Sequence, residues 1–74
     1  MANLHNFPNE ELSRKELIES KLNLLDEFCL LDEYRKQFKA ILSKCPTELA
    51  MEIKLHDLLV GNISREDFLR KEGF

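Results

Sequence analysis

Leu24-Leu25-Asp26-Glu27-Phe28-Cys29-Leu30-Leu31-Asp32-Glu33-Tyr34 is the stretch whose reading decides how this chain folds. It lies at the centre of the run Ser13–Lys44, which contains neither Gly nor Pro and is long enough for one helix of about 48 Å at ~1.5 Å per residue. The helical phase argues for an interruption. With Leu17 at zero and about 100° per residue, Leu17, Ile18, Leu22, Leu25, Phe28 and Cys29 centre near about 80°, whereas Leu31, Tyr34, Phe38, Ile41, Leu42 and Cys45 centre near about 285°. That swing of about 155° exceeds the ~20° per heptad by which a straight helix drifts from a coiled-coil seam. Either the two halves face different partners or the helix breaks near Leu30–Asp32, where Asp32 can cap a new one. The near-repeat of Leu24–Phe28 in Leu30–Tyr34 turns through about 240° over its six-residue offset, so its copies lie on different faces and read as compositional bias.

Outside this stretch the punctuation is clearer. Leu12-Ser13-Arg14-Lys15-Glu16-Leu17 reads as a capping box, with Ser13 accepting from the amide three residues on and Leu12 stapled to Leu17. The same grammar returns in Ile63-Ser64-Arg65-Glu66-Asp67-Phe68. Pro46 disfavours helix at Cys45 and fits the first turn of a new one. Gly61-Asn62 and Gly73 supply left-handed stops. Leu49, Met51, Ile53, Leu55, Leu58, Leu59 and Val60 make the intervening helix apolar over a wide arc, a sign of burial on more than one side. Asn3, Asn6, Pro8 and Asn9 compete with helix and predict an extended arm over residues 1–12, which Leu4 and Phe7 can pin to the core.

The composition agrees. Seventy-four residues make one domain at most; 43% of them are apolar, 34% are charged, and the net charge is −3. With only two Gly and two Pro there is little turn chemistry for a sheet of many strands. The fold expected is all-α: a small bundle of three to four helices, over about 14–30, 32–44, 47–60 and 65–72, behind an N-terminal arm, with 13–74 as a single domain. Its core candidates are Leu17, Leu22, Leu25, Phe28, Leu31, Phe38, Ile41, Leu49, Ile53, Leu58, Leu59, Ile63, Phe68 and Leu69.

Leu58-Leu59-Val60-Gly61-Asn62-Ile63-Ser64-Arg65-Glu66-Asp67-Phe68 resembles the helical hairpin of short C-terminal SHOCT-type modules, which share a Gly-x-Ile-Ser/Thr-x-Glu-Glu-Phe outline. The resemblance covers about the last third of the chain. It implies a helical hairpin and brings no function with it, because capping rules alone generate the outline.

Chemistry is sparse. His56 shares a helix strip with Glu52 and Glu48, but the spacing is not that of a metal motif, and a solvated face explains it. Ser13 and Ser64 are accounted for as caps, and Cys29 and Cys45 read as small core hydrophobes without C-x-x-C spacing. Adjacent acids such as Asp26/Glu27 and Asp32/Glu33 point about 100° apart rather than at one substrate. No phosphate-binding glycine loop is present. The sequence therefore predicts no catalytic, cofactor-binding or metal residues, no cofactor, no small-molecule substrate and no enzymatic activity. Without a leader or an apolar span, the expected location is the cytoplasm.

The apolar supply exceeds what one short bundle hides. It points to a protein–protein interaction module, a regulator, adaptor or inhibitor that docks another chain and forms a homodimer through residues 17–42. Candidate contact residues are Leu24, Leu30, Leu31, Tyr34, Phe38 and Phe74, with the cationic strip Arg35, Lys36 and Lys39. The alternative is a DNA- or RNA-associated regulator using that strip or the C-terminal helix. There Glu66, Asp67 and Glu72 interrupt Arg65, Arg70 and Lys71, so nucleic acid is not the expected partner.

Overall fold

The interruption falls at Phe28–Leu31, and its backbone explains why. In the computed structural model, which describes residues 10–74 and side chains from Ser13 on, α1 (Glu10–Glu27) closes with Cys29 N–H donating to Asp26 O at 2.9 Å and Leu30 N–H to Leu25 O at 2.8 Å. These two bonds form a Schellman motif, whose penultimate residue must adopt the left-handed region. Here that residue is Cys29, at φ 59°. Asp32 follows at φ 48°, opening a single 3-10 turn (Asp32–Tyr34) that runs into α2 (Arg35–Ser43). No side-chain cap is made at the start of the 3-10 turn or of α2, so Asp32 turns the chain through its backbone and not as the expected cap.

The two apolar stripes that differ by half a turn in sequence now point to one place. The turn folds α2 back antiparallel on α1, setting Arg14 near the end of α2 and Glu19 near its beginning. Ile18, Leu22 and Leu25 on α1 and Phe38, Ile41 and Leu42 on α2 thereby share a single core. The conflict of phase that suggested self-association through residues 17–42 is resolved within the chain.

α3 (Glu48–Leu59) begins at Thr47, whose hydroxyl accepts from Ala50 N–H at 3.1 Å; Pro46 stands before this cap and not in the first helical turn as expected. α3 runs alongside α1 in the same direction, since Lys21 pairs with Glu48 and Glu52 in its first turns while Leu24 lines one groove with Leu59 and Val60 near its end. Gly61, at φ 86°, closes α3 with a second Schellman pair, Gly61 N–H to Leu58 O and Asn62 N–H to Asp57 O. Ser64 then caps α4 (Arg65–Lys71) as its sequence predicts, accepting from Asp67 N–H at 3.1 Å. Half-buried Ile63 and buried Phe68 are positioned as the hydrophobic staple. The Asp67 carboxylate accepts from Arg70 at 2.8 Å, leaving the reciprocal arm of the box unmade. Gly73, at φ 99°, ends α4 with a third Schellman pair.

The described residues thus form an all-α bundle of four helices, without a strand. The core is Ile18, Leu22, Leu25, Leu31, Phe38, Ile41, Leu42, Cys45, Met51, Leu55, Leu58, Phe68 and Leu69, with Leu17, Leu59 and Ile63 packed at its margin. Phe38 and Phe68 stack at its centre, their rings 5.7 Å apart and 16° from parallel.

Several expectations are corrected. α1 starts at Glu10, so Ser13 stands exposed inside the helix and not at its cap. The stretch 10–13 holds no Gly or Pro, so nothing in it delays the helix until Ser13. The expected arm loses residues 10–12 to α1, and its first nine residues lie outside the described range. Phe28 and Cys29 are exposed because the helix ends at Glu27 and the chain turns away. Leu49 and Ile53 point outward because Met51, Leu55 and Leu58 occupy the inner face of α3.

Cys29 carries a testable strain. A left-handed L-residue costs about 1–2 kcal/mol and glycine's extra chain entropy about 0.5–1 kcal/mol, so Cys29→Gly should stabilise the fold by about 1 kcal/mol. The exposed thiol gives up no packing in the exchange. Urea unfolding of Cys29→Gly beside Cys29→Val checks this, with midpoints expected in the order Gly, Cys, Val. A glycine midpoint at or below that of the native protein would contradict it.

Candidate interaction surface

Charged side chains engage much of the surface from within. Arg65, on α4, lies over the Tyr34 ring at 4.6 Å, donates to Leu30 O at 3.4 Å and pairs with Asp32 at 3.7 Å and Glu66 at 3.3 Å. It fastens the 28–34 turn to the last helix. Arg35 pairs with Glu19, Arg70 with Asp67, and Lys54 with Glu72. Of the cations proposed to approach nucleic acid, Arg35, Arg65 and Arg70 therefore already hold acidic partners, while Lys36 and Lys39 on α2 and Lys71 on α4 are exposed.

The candidate contact residues separate into distinct environments. Leu31 and Phe38 are core residues at 4% and 0% exposure, so neither can meet a partner while the domain is folded. Leu30 and Tyr34 are half-buried against the core beneath Arg65. Phe74 is exposed, at the edge of a shallow groove lined by Tyr34, Gln37, Leu69 and Arg70. Leu24 lines another groove, of about 280 Å³, between α1 and α3, with Leu55, Leu59, Val60 and His56 along its other side.

α3 presents what the sequence reading missed. Leu49, Ile53 and Val60 are 64%, 68% and 55% exposed. With His56 they follow a four-three-four spacing and fall on one stripe of the helix, opposite Met51, Leu55 and Leu58. The signal was present as two interleaved apolar series, 49-53-60 and 51-55-58. The wide apolar arc implies burial on more than one side, whereas α3 buries one side and exposes the other.

The electrostatics of this face are defined by α1. Lys21, largely covered, reaches Glu48 at 3.4 Å and Glu52 at 3.3 Å. The carboxylates that share a strip with His56 are thus balanced by a lysine. His56 Nδ1 instead lies 3.4 Å from Asp57 Oδ1. The Asp57 carboxyl is held below its ordinary value, first by the hydrogen bond from Asn62 and then by that of His56. Its contribution to closing α3 is present above the ordinary aspartate range and is lost as pH falls through the lowered value. Among the described residues no three His, Cys, Asp or Glu side chains cluster as a metal site, and no helix is long and apolar enough to cross a membrane.

No family model matches the chain, and neither does any curated protein or solved structure.

Proposed function

We propose that the protein is a small helical interaction module, a cytoplasmic regulator, adaptor or inhibitor that acts by docking another protein chain on the outer face of α3. The observation that carries this reading is the alignment of Leu49, Ile53 and Val60 on one exposed stripe while the helix already buries its opposite side. Single exposed leucines are ordinary, but a contiguous stripe beside an apolar groove marks a surface that gains by being covered. The strip on α2 lacks this character, since α2 itself carries no exposed large apolar residue beside Lys36 and Lys39.

A photo-crosslinking residue placed at Ile53 tests the reading in the host cell, with the same residue at Lys39 as the comparison. The expected result is a discrete protein adduct from position 53 and none from position 39. Adducts from position 39 alone would move the contact to the cationic strip, and silence at position 53 would remove α3 as the docking face.

A further inference from the structure

Resting on that docking reading, we infer that the occupant of the α3 face is a second copy of this chain, with its α3 running antiparallel. Read as heptads, α3 and its C-terminal cap place Ile53 and Val60 at a positions and Leu49 and His56 at d positions. Three of these four seam positions are exposed apolar residues, the pattern of a helix seam left without its partner. Flanking this seam are Glu52 and Leu59 on one side and Ala50 and Asp57 on the other. A parallel pair would set Glu52 against the second copy's Asp57, two carboxylates that are both substantially exposed in the single chain. An antiparallel pair sets Glu52 against Leu59 and Ala50 against Asp57, so no like charges meet. Lys21, already pairing Glu48 and Glu52, balances the acidic flank without help from a partner.

Shape agrees with charge. Leu49 projects at one end of the stripe, and the groove of about 280 Å³ lined by Leu24, Leu55, Leu59 and Val60 opens at the other. Eleven residues of helix, about 16 Å, separate Leu49 from Val60. A two-fold axis between Ile53 and His56 brings each Leu49 to the other copy's groove and sets each Ile53 against the other copy's His56. The surface is self-complementary, as a closed two-fold dimer requires. It is also small. Three large apolar side chains per copy fall well short of the ~800 Å² per partner of a standard interface, so the dimer is weak and concentration-dependent. His56 is the poorest seam residue, and leucine in its place completes the apolar d positions.

Sedimentation of the full chain from about 10 µM to about 1 mM spans the range in which such an interface exchanges. The mass should rise from one chain towards two. Ile53→Glu should hold it at one chain with an unchanged melting midpoint, and His56→Leu should tighten association about tenfold. Orientation is read by oxidation in a Cys29→Ser background. The pair Leu49→Cys with Val60→Cys should give a disulfide that is intermolecular, because within one chain the two positions are too far apart to bridge, and Leu49→Cys alone should give none, because the two-fold axis sets the two copies' positions 49 at opposite ends of the seam. A native mass that stays at one chain up to about 1 mM overturns the second copy as occupant. The photo-crosslink at position 53 then decides separately whether another protein docks there. A dimer that survives Ile53→Glu overturns the face, and cross-linking by Leu49→Cys alone overturns the antiparallel arrangement.

Discussion

Phe38→Ala should lower the free energy of unfolding by about 3–5 kcal/mol, the cost of removing a fully buried phenylalanine ring from a packed core. For a chain of this length, total stability is about 4–11 kcal/mol, so this one truncation brings the domain close to unfolding at room temperature. Phe38 has no exposed surface and joins α2 to α4 by its stack with Phe68. Phe68→Ala belongs in the same range, which makes Phe68 a structural residue of the last helix and leaves Phe74 as the exposed aromatic of the C-terminus. Because the two rings touch, the double variant should lose less than the two single losses added together, by about 0.5–1.5 kcal/mol of aromatic coupling. Ser64→Ala, which removes only the cap of α4, should cost about 1 kcal/mol. Urea unfolding followed by circular dichroism orders these variants, and Phe38→Leu keeps the series measurable if the alanine variants do not fold. A Phe38→Ala cost below that of Ser64→Ala would show that the stack is not the centre of the core.

Three of the four helices end in the same hydrogen-bonded motif, yet only two of those endings were readable. Gly61 and Gly73 announce theirs, because glycine enters the left-handed region without a Cβ penalty. The end of α1 is made by Cys29, a residue whose chemistry gives no such notice, so only the phase of the apolar pattern betrayed a break, and it marked Leu30–Asp32 where the turn begins at Phe28. The fold class was nevertheless legible, because burial, unlike a cap, is written over many positions. Leu22, Leu25, Leu31, Phe38, Ile41, Leu58, Phe68 and Leu69 were all identifiable as core. α3 was misread for the reason that makes it interesting. Its two apolar series blur any single amphipathic direction, and only tertiary packing selects which one faces inward. The candidate surface was therefore hidden, because Leu49 and Ile53 looked like core, while Leu31 and Phe38, which the sequence offers both as core and as contacts, are core alone.

Arg14 escaped sequence reading altogether, and its removal should have the next largest effect. Its guanidinium crosses from the first turns of α1 to the end of α2, donating to Ser43 O at 2.8 Å, to Pro46 O at 3.3 Å and to Cys45 O. The last carbonyls of a helix lack partners within it, and the helix dipole gathers negative potential there. α2 brings no basic residue of its own to that turn, and Pro46, having no N–H, donates nothing. Arg14 therefore supplies both charge and donors, and as a partly buried cation at a helix C-terminus it contributes up to ~2 kcal/mol, which sets the expected cost of Arg14→Ala at about 2 kcal/mol. Lysine should recover only part of this, since a single ammonium cannot spread across three carbonyls as the planar fork does. Hydrogen exchange localises the effect: the amides of Lys44 and Cys45, bonded to Ile41 O and Leu42 O, should exchange faster in Arg14→Ala than those of α4 do. Full recovery by lysine would reduce the interaction to charge alone, and stability within about 0.5 kcal/mol of the native protein would place Arg14 among surface residues without a structural role.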